Sequence, residues 1–270
     1  MEIRMSTHHN RSFLLIIVLI SLFFSSCFFD PDPDANGGVV LTFDDRNVAD
    51  WVWADSVLSV FDWKASFCVA GPQVLTTSQF ADLRNLKAQG HEIAGHGIAH
   101  LNAVDYVAAN GMDTYLNDEI LPMINIMEQE NLRPITFAYP YGDRSDEIDD
   151  TLLTYFKVLR STTYPWSEPS AQTCYYENDP LVYGLGTDGS PTESRISYFL
   201  SLLDYARANK KILIVYSHKP VPEWTGANQT DIRTLQAICN YVTVNNMRFY
   251  TLAELHDKSA SKILHALRPQ

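Results

Sequence analysis

Apolar positions in this chain fall into short runs separated by amphipathic stretches, and the alternation persists from residue 38 to residue 252. The runs at 39–41, 64–69, 91–94, 134–139, 157–161, 181–185 and 211–216 are too short for helices. Their punctuation by Gly, Pro and Asp predicts buried strands. A last short strand is expected at 249–252. Between the strands, apolar residues at helical spacing predict helices over 48–63, 79–89, 113–130, 147–156, 192–208 and 231–244. Thr77 and Ser78 stand where they can cap the second helix and Gly90 where it can end it, while Thr192 caps the fifth. Pro122 interrupts or kinks the helix at 113–130. Residues 164–179, with Pro165 and Pro169, have no period and read as a long loop. Strand-helix alternation predicts a parallel sheet with helices outside it. Seven or eight such units in about 230 residues suggest a closed or nearly closed barrel. An open doubly wound sheet is the alternative, although no glycine-rich dinucleotide fingerprint follows the first strand.

The beginning of the chain has a different pattern. Arg4 and Arg11 precede an apolar run at 13–24, then Ser25, Ser26 and Cys27. A basic start, a short apolar segment and small residues before a cut site make a secretory signal. The run is shorter than the roughly 20 residues of a membrane-spanning helix. Residues 24–27 resemble a bacterial lipobox, with Cys27 as the lipidated residue, so residues 1–27 are expected to be a lipoprotein signal. Residues 28–38 contain Pro31, Pro33, Gly37 and Gly38 and read as a linker. The folded domain is then expected over 39–270. The protein is expected to be exported and lipid-anchored to the bacterial cell envelope. A formal net charge of -12 argues against a nucleic-acid partner. Besides Cys27 the chain has Cys68, Cys174 and Cys239. Cys68 lies in an apolar run and reads as a buried hydrophobe; a Cys174–Cys239 disulfide is one option for the others.

Reactive side chains collect where strands are expected to end. The first strand runs into Asp44 and Asp45, two acids that repel each other unless a cation or proton separates them. A solvated turn is the plain alternative. After the third strand come His96 and His100, four apart, which can share a metal if they project from one helical face. One carboxylate and two imidazoles suit a divalent metal with positions left open for water and substrate. The fourth strand leads into Tyr139-Pro140-Tyr141-Gly142, the fifth holds Arg160, and the seventh ends in Ser217-His218. Two histidines and an acid also suit ferrous iron, so a non-haem iron oxygenase is a competing reading. The second aspartate and the separate histidine argue against it.

Four stretches, in order, resemble the motifs of the polysaccharide deacetylases, carbohydrate esterase family 4, the NodB homology domain. They are Thr42-Phe43-Asp44-Asp45, the segment from Gly90 to His100, Tyr139-Pro140-Tyr141-Gly142, and Val215-Tyr216-Ser217-His218. The resemblance implies a distorted (β/α)7 barrel. It implies a hydrolase that removes acetyl groups from an N-acetylated polysaccharide, with an O-acetyl xylan-type esterase or a non-catalytic glycan-binding protein as alternatives. Asp45, His96 and His100 would hold a divalent metal, usually zinc. Asp44 would be the general base, Tyr141 the oxyanion donor through its backbone N–H, and His218 the general acid. Pro140, Trp166 and Trp224 are candidates for contact with the sugar, as are Tyr175 and Tyr176, with core or loop packing the alternative for the four aromatic residues. Three departures accompany the resemblance. Ala138 replaces the arginine that normally steadies the base, and Arg160 on the next strand is the candidate substitute. Gly97 replaces a serine or threonine, which is expected to loosen the site. No motif for the acid that orients His218 is legible; Asp179 and Asp188 are candidates that otherwise read as solvated loop acids.

Overall fold

The first strand, β1 (Gly38–Phe43), is buried along its whole length. Such a strand needs hydrogen-bonding partners on both edges and apolar cover on both faces. In the computed structural model, which describes residues 36–258, it has both. On one edge it pairs in parallel with β7 (Ile212–Ser217), from Gly38 opposite Ile212 to Phe43 opposite Ser217. Its other edge is shared. The beginning pairs with β10 (Arg248–Tyr250), and Thr42 and Phe43 pair with β2 (Ser66–Val69). From β2 the sheet continues through β3 (Glu92–Gly95), β4 (Thr136–Ala138), β5 (Val158–Thr163) and β6 (Leu181–Gly186) to β7, every pair parallel. Because β7 returns to β1, the sheet closes into a seven-stranded parallel barrel surrounded by helices. The expected barrel is therefore found, and the open sheet is not. Gly38, expected at the end of the linker, already belongs to β1. The expected signal, Cys27 and most of the linker lie outside the described residues.

Two cores divide the apolar residues by strand face. Inside the barrel, Val40, Cys68, Ala94, Ala138, Val182 and Ile214 pack together, a set dominated by small and β-branched side chains. Outside it, Phe43, Phe67, Phe137, Leu159, Leu185 and Val215 meet the helices. Trp51 of α1 (Val48–Leu58) stacks on Phe67 there, with ring centroids 5.2 Å apart.

The helices differ from expectation in instructive ways. The cap of α2 (Thr77–Ala88) is Thr76, which forms a reciprocal capping box with Gln79; neither Thr77 nor Ser78 holds that position. A helix not anticipated from the pattern, α3 (Ala103–Asn110), follows the His100 loop and is capped by Asn102. The expected helix at 113–130 is broken as α4 (Met112–Tyr115), a π-helical turn (Leu116–Ile120) and α5 (Leu121–Gln129). Pro122 stands at the start of α5, where a missing N–H costs least. The others are α6 (Asp146–Leu152), α7 (Glu193–Ala208), capped by Thr192 as expected, and α8 (Ile232–Val244), capped by Asp231. A small parallel ribbon of β8 (Lys219–Val221) and β9 (Gln229–Asp231) was not legible in the sequence. Cys68, Cys174 and Cys239 are buried free thiols, so the Cys174–Cys239 disulfide is absent. No helix of the described residues is long and apolar enough to cross a membrane.

Candidate metal centre and active site

In a parallel barrel the strands' carboxyl ends share one rim, and Asp44, Asp45, His96, Tyr141 and His218 all follow strand ends there. Three of the positions around that rim are backbone irregularities: Asp45, His100 and Tyr141 have φ of 80°, 58° and 63°. Residues with a Cβ are disfavoured in this region, and such strain gathers where function over-determines the backbone.

Asp45, His96 and His100 each offer one ligand atom, all within 4.8 Å of one another. Nε2 of His100 is 3.5 Å and Nε2 of His96 3.9 Å from Oδ1 of Asp45. Bonds of about 2.0–2.2 Å in tetrahedral geometry would set such atoms roughly 3.3–3.5 Å apart, so the two imidazole–carboxylate distances are within a few tenths of an ångström of those a divalent ion would set, and the donor types suit one. Nδ1 of His96 donates to the carbonyl of Ala138 at 2.8 Å, which fixes the tautomer and leaves Nε2 to face Asp45. Burial, assisted by Arg160, lowers the His96 pKa to about 4 against the opposing pull of Asp44. The imidazole is therefore neutral at ordinary pH, the form in which it can ligate. The Tyr141 ring packs edge-on against His100, with centroids 4.8 Å apart.

Asp44 is 3% and Arg160 0% exposed, and Nη2 of Arg160 donates to Oδ1 of Asp44. Burial alone would raise the Asp44 pKa. The Arg160 guanidinium, then His96 and His218, overcome burial and hold it below the ordinary 3.8. Register explains how Arg160 reaches: it pairs with Ala138 on the adjacent strand. The cation missing at Ala138 is thus supplied one strand over. Its stem is accommodated by Gly184 on β6, where a Cβ would lie 3.2 Å from Cδ of Arg160, and the guanidinium lies 5.2 Å from the Tyr216 ring centroid.

On the β7 side, Nδ1 of His218 donates to Oδ2 of Asp188, and the His218 backbone N–H bonds to Oδ1 of the same carboxylate. Thr230 also donates to Asp188, at 2.8 Å, and Ser217 donates to Thr230. The carbonyl of His218 accepts from the Trp51 indole at 3.1 Å. Asp188 is thus a bonded partner of His218, not a solvated loop acid. The signal available in the sequence was its position just past the end of β6, beside β7. Burial lowers the His218 pKa, but the hydrogen bond to Asp188 and the charges of Asp44, Asp188 and Asp45 outweigh it and raise it above 6.5.

Other assignments divide. Pro140 is buried in the turn before Tyr141, while Trp166 and Trp224 are exposed on loops. Of the two options open for Tyr175 and Tyr176, sugar stacking or packing, the structure shows packing in the core: Tyr176 donates to the Leu255 carbonyl, and Tyr175 packs on Tyr205. Asp179, two residues ahead of β6, accepts from the N–H of Leu181.

The family model described as polysaccharide deacetylase matches residues 32–157, a stretch that ends before Arg160, Asp188 and His218. No curated protein gives a significant match. Several solved structures share the fold. The peptidoglycan deacetylase PdaC of Bacillus subtilis aligns at 18% identity over 88% of this chain and 100% of its own, with a TM-score of 0.50. The Xyl-CE4 domain of a multidomain xylanase from the hindgut metagenome of Trinervitermes trinervoides aligns at 17% over 83% of this chain and 92% of its own, TM-score 0.51. A family 4 acetyl xylan esterase from Clostridium thermocellum, in complex with a cobalt ion, aligns at 20% over 82% of this chain and 90% of its own, TM-score 0.50.

Proposed function

We propose that this chain, whose membership of the polysaccharide deacetylase family is supported by the match at residues 32–157 and by its barrel, is a metal-dependent hydrolase that removes acetyl groups from a glycan. The observation that carries the reading is the buried Asp44–Arg160 pair set between the Asp45, His96, His100 cluster and His218–Asp188. Asp45, His96 and His100 would hold the ion, and this nitrogen and oxygen donor set suits zinc. When bound, it supplies Lewis-acid activation of water and of the acyl carbonyl.

The chain's own residues do the rest. Asp44, kept ionised by Arg160, accepts a proton from the water as its oxygen bonds to the acyl carbon. The backbone N–H of Tyr141 is assigned to the oxygen that becomes negative. As the bond from carbon to the leaving atom breaks, His218 delivers its proton to that atom, giving acetate and a free amine. Asp188 holds the imidazole for this transfer and keeps it protonated. An amine leaves only when protonated, which favours an N-acetylated substrate, with O-acetyl ester hydrolysis as the second reading. Trp166 and Trp224 are proposed to stack on sugar rings. Action at the cell envelope through lipidated Cys27 is proposed on the pattern of residues 1–27.

The test is acetate release by the purified protein from N-acetylated chitin-type and peptidoglycan-type oligomers and from acetylated xylan, with zinc or cobalt added. Asp44→Asn is expected to lower turnover by about 10²–10⁴-fold with zinc affinity retained, and a chelated sample to be inactive. Turnover that survives both treatments would reject the mechanism. Release from xylan alone would select the esterase.

A further inference from the structure

Gly97, next to the ligand His96, is where a looser site was expected, yet the space is full. Gly97 has φ of 84°, and a Cβ there would lie 2.0 Å from Oε1 of Glu119. Glu119 comes from the π-helical turn Leu116–Ile120 and has no solvent exposure. Its oxygens accept the N–H groups of Ala99 at 2.8 Å and Leu101 at 2.9 Å. The carboxyl group thus holds the backbone N–H groups on both sides of His100. No cation among the described ion pairs faces Glu119, and its two oxygens serve as acceptors for the loop.

The geometry has a consequence for His100, whose backbone lies in the left-handed region at φ 58°. Histidine enters that region more readily than most residues with a Cβ, but the conformation is still uncommon and gains from being held. Glu119 grips the N–H groups on either side of it, and Gly97 leaves the space for Glu119 to do so. A π turn interrupts a helix at some cost and is frequently found at functional sites. In this chain the turn brings Glu119 and Ile120 both into the interior.

We propose that Glu119 is a positioning residue for the metal ligand His100, holding residues 98–101 in the turn that lets both imidazoles meet Asp45. The inference rests on the metal-centre reading of Asp45, His96 and His100. It also accounts for Gly97: a serine there would evict the carboxylate.

The experiment is the zinc dissociation constant of the full chain, by competition with a chromophoric chelator, for the wild type, Glu119→Ala, Glu119→Gln and Glu92→Gln. The cobalt absorption spectrum and the thermal midpoint are recorded for each. Residues that orient metal ligands typically contribute 10–100-fold in affinity. Glu119→Ala is expected to weaken zinc by that factor and to change the cobalt ligand-field bands. Glu119→Gln keeps the size and one acceptor oxygen and is expected to weaken zinc by about 3–10-fold, so it carries the test if Glu119→Ala fails to fold. Glu92→Gln, a buried acid at the other end of the barrel, is expected to lower the midpoint with zinc affinity unchanged. Equal affinity and spectrum in Glu119→Gln and wild type would overturn the inference and leave the metal centre standing. Equal losses of affinity in Glu119→Gln and Glu92→Gln would also overturn it, by reducing Glu119 to general stability. A wild type that binds no zinc would overturn both readings.

Discussion

Asp44 and Glu92 are both carboxylates buried against the same barrel, and they behave in opposite ways. Asp44 ends β1 at the rim and shares its burial with a guanidinium, so its pKa falls. Glu92 begins β3 at the opposite end and is surrounded by neutral donors. Ser66 and Thr136 donate to it at 2.6 Å and the N–H of Ala253 at 3.0 Å. Burial outweighs these bonds, and the Glu92 pKa rises. Depth alone therefore does not make an acid functional. A buried carboxylate stays charged only when a cation is buried with it; otherwise it becomes a tie between strands. The Ser66 hydroxyl that meets Glu92 also accepts the N–H of Leu252, so this tie reaches the segment after β10.

The comparison breaks most severely at Arg160. Arg160→Ala leaves Asp44 buried without its cation, and removal of one partner of such a pair costs roughly 3–5 kcal/mol. Denaturant unfolding should show that loss, and the acid limb of the pH–rate profile should move to higher pH as the Asp44 pKa rises. Full activity in Arg160→Ala would refute the role given to the pair. Placing the cation back on the neighbouring strand, as Arg160→Ala with Ala138→Arg, should recover part of both losses, because the two positions are in register.

A smaller effect is expected at Asp188. Its charge helps raise the His218 pKa, so the proton donor is present below that pKa and is lost as pH rises through it. Asp188→Asn should move the alkaline limb of the rate profile to lower pH and reduce turnover at pH 8 by about tenfold. An unmoved limb would mean that His218 does not supply the proton.

Glu92→Gln should affect turnover least. It is expected to lower stability at neutral pH by about 1 kcal/mol, through one mismatched hydrogen bond, and to leave the rate unchanged. The two acids also predict opposite slopes. With a raised folded pKa, Glu92 contributes stability that is full below 4.5 and lost as pH rises through the folded value. With a lowered pKa, Asp44 contributes stability present above 3.8 and lost as pH falls through its folded value. Stability measured against pH for Glu92→Gln and wild type should differ in slope on the alkaline side of 4.5, and a parallel pair of curves would remove the distinction.

The barrel and most of the rim were legible because a parallel strand announces itself as an apolar run and its carboxyl end as the polar residue that follows. Asp44, Asp45, His96 and His218 could be read that way. Arg160 was legible as a substitute because it lies on the strand that follows Ala138. What remained hidden depends on contacts between distant segments. Asp188 looks like any acid in a polar loop until β7 brings His218 beside it. Glu119 reads as a polar helical position, and only the π turn buries it. Tyr175 and Tyr176 lie in a stretch without period, where sequence offers no means to tell a platform from a core residue. Thr76, Thr77 and Ser78 stand in succession at the start of α2, so the pattern alone does not single out the hydroxyl that caps it.

The placement of β1 has a consequence for the order in which the molecule can assemble. This strand leaves the ribosome before all the others, yet it is among the last to be completed. Thr42 bonds to the carbonyl of Val215, 173 residues downstream, and Asp44 waits 116 residues for Arg160. Such distant pairings are slow to form, because a long chain must be brought together before any contact rewards it. A growing chain therefore carries an apolar strand whose β7 edge is unpaired, with its two acids, for most of its synthesis. The same connectivity makes the final third of the polypeptide a checkpoint: a chain interrupted before β7 retains Asp45, His96 and His100 but cannot close the barrel around them.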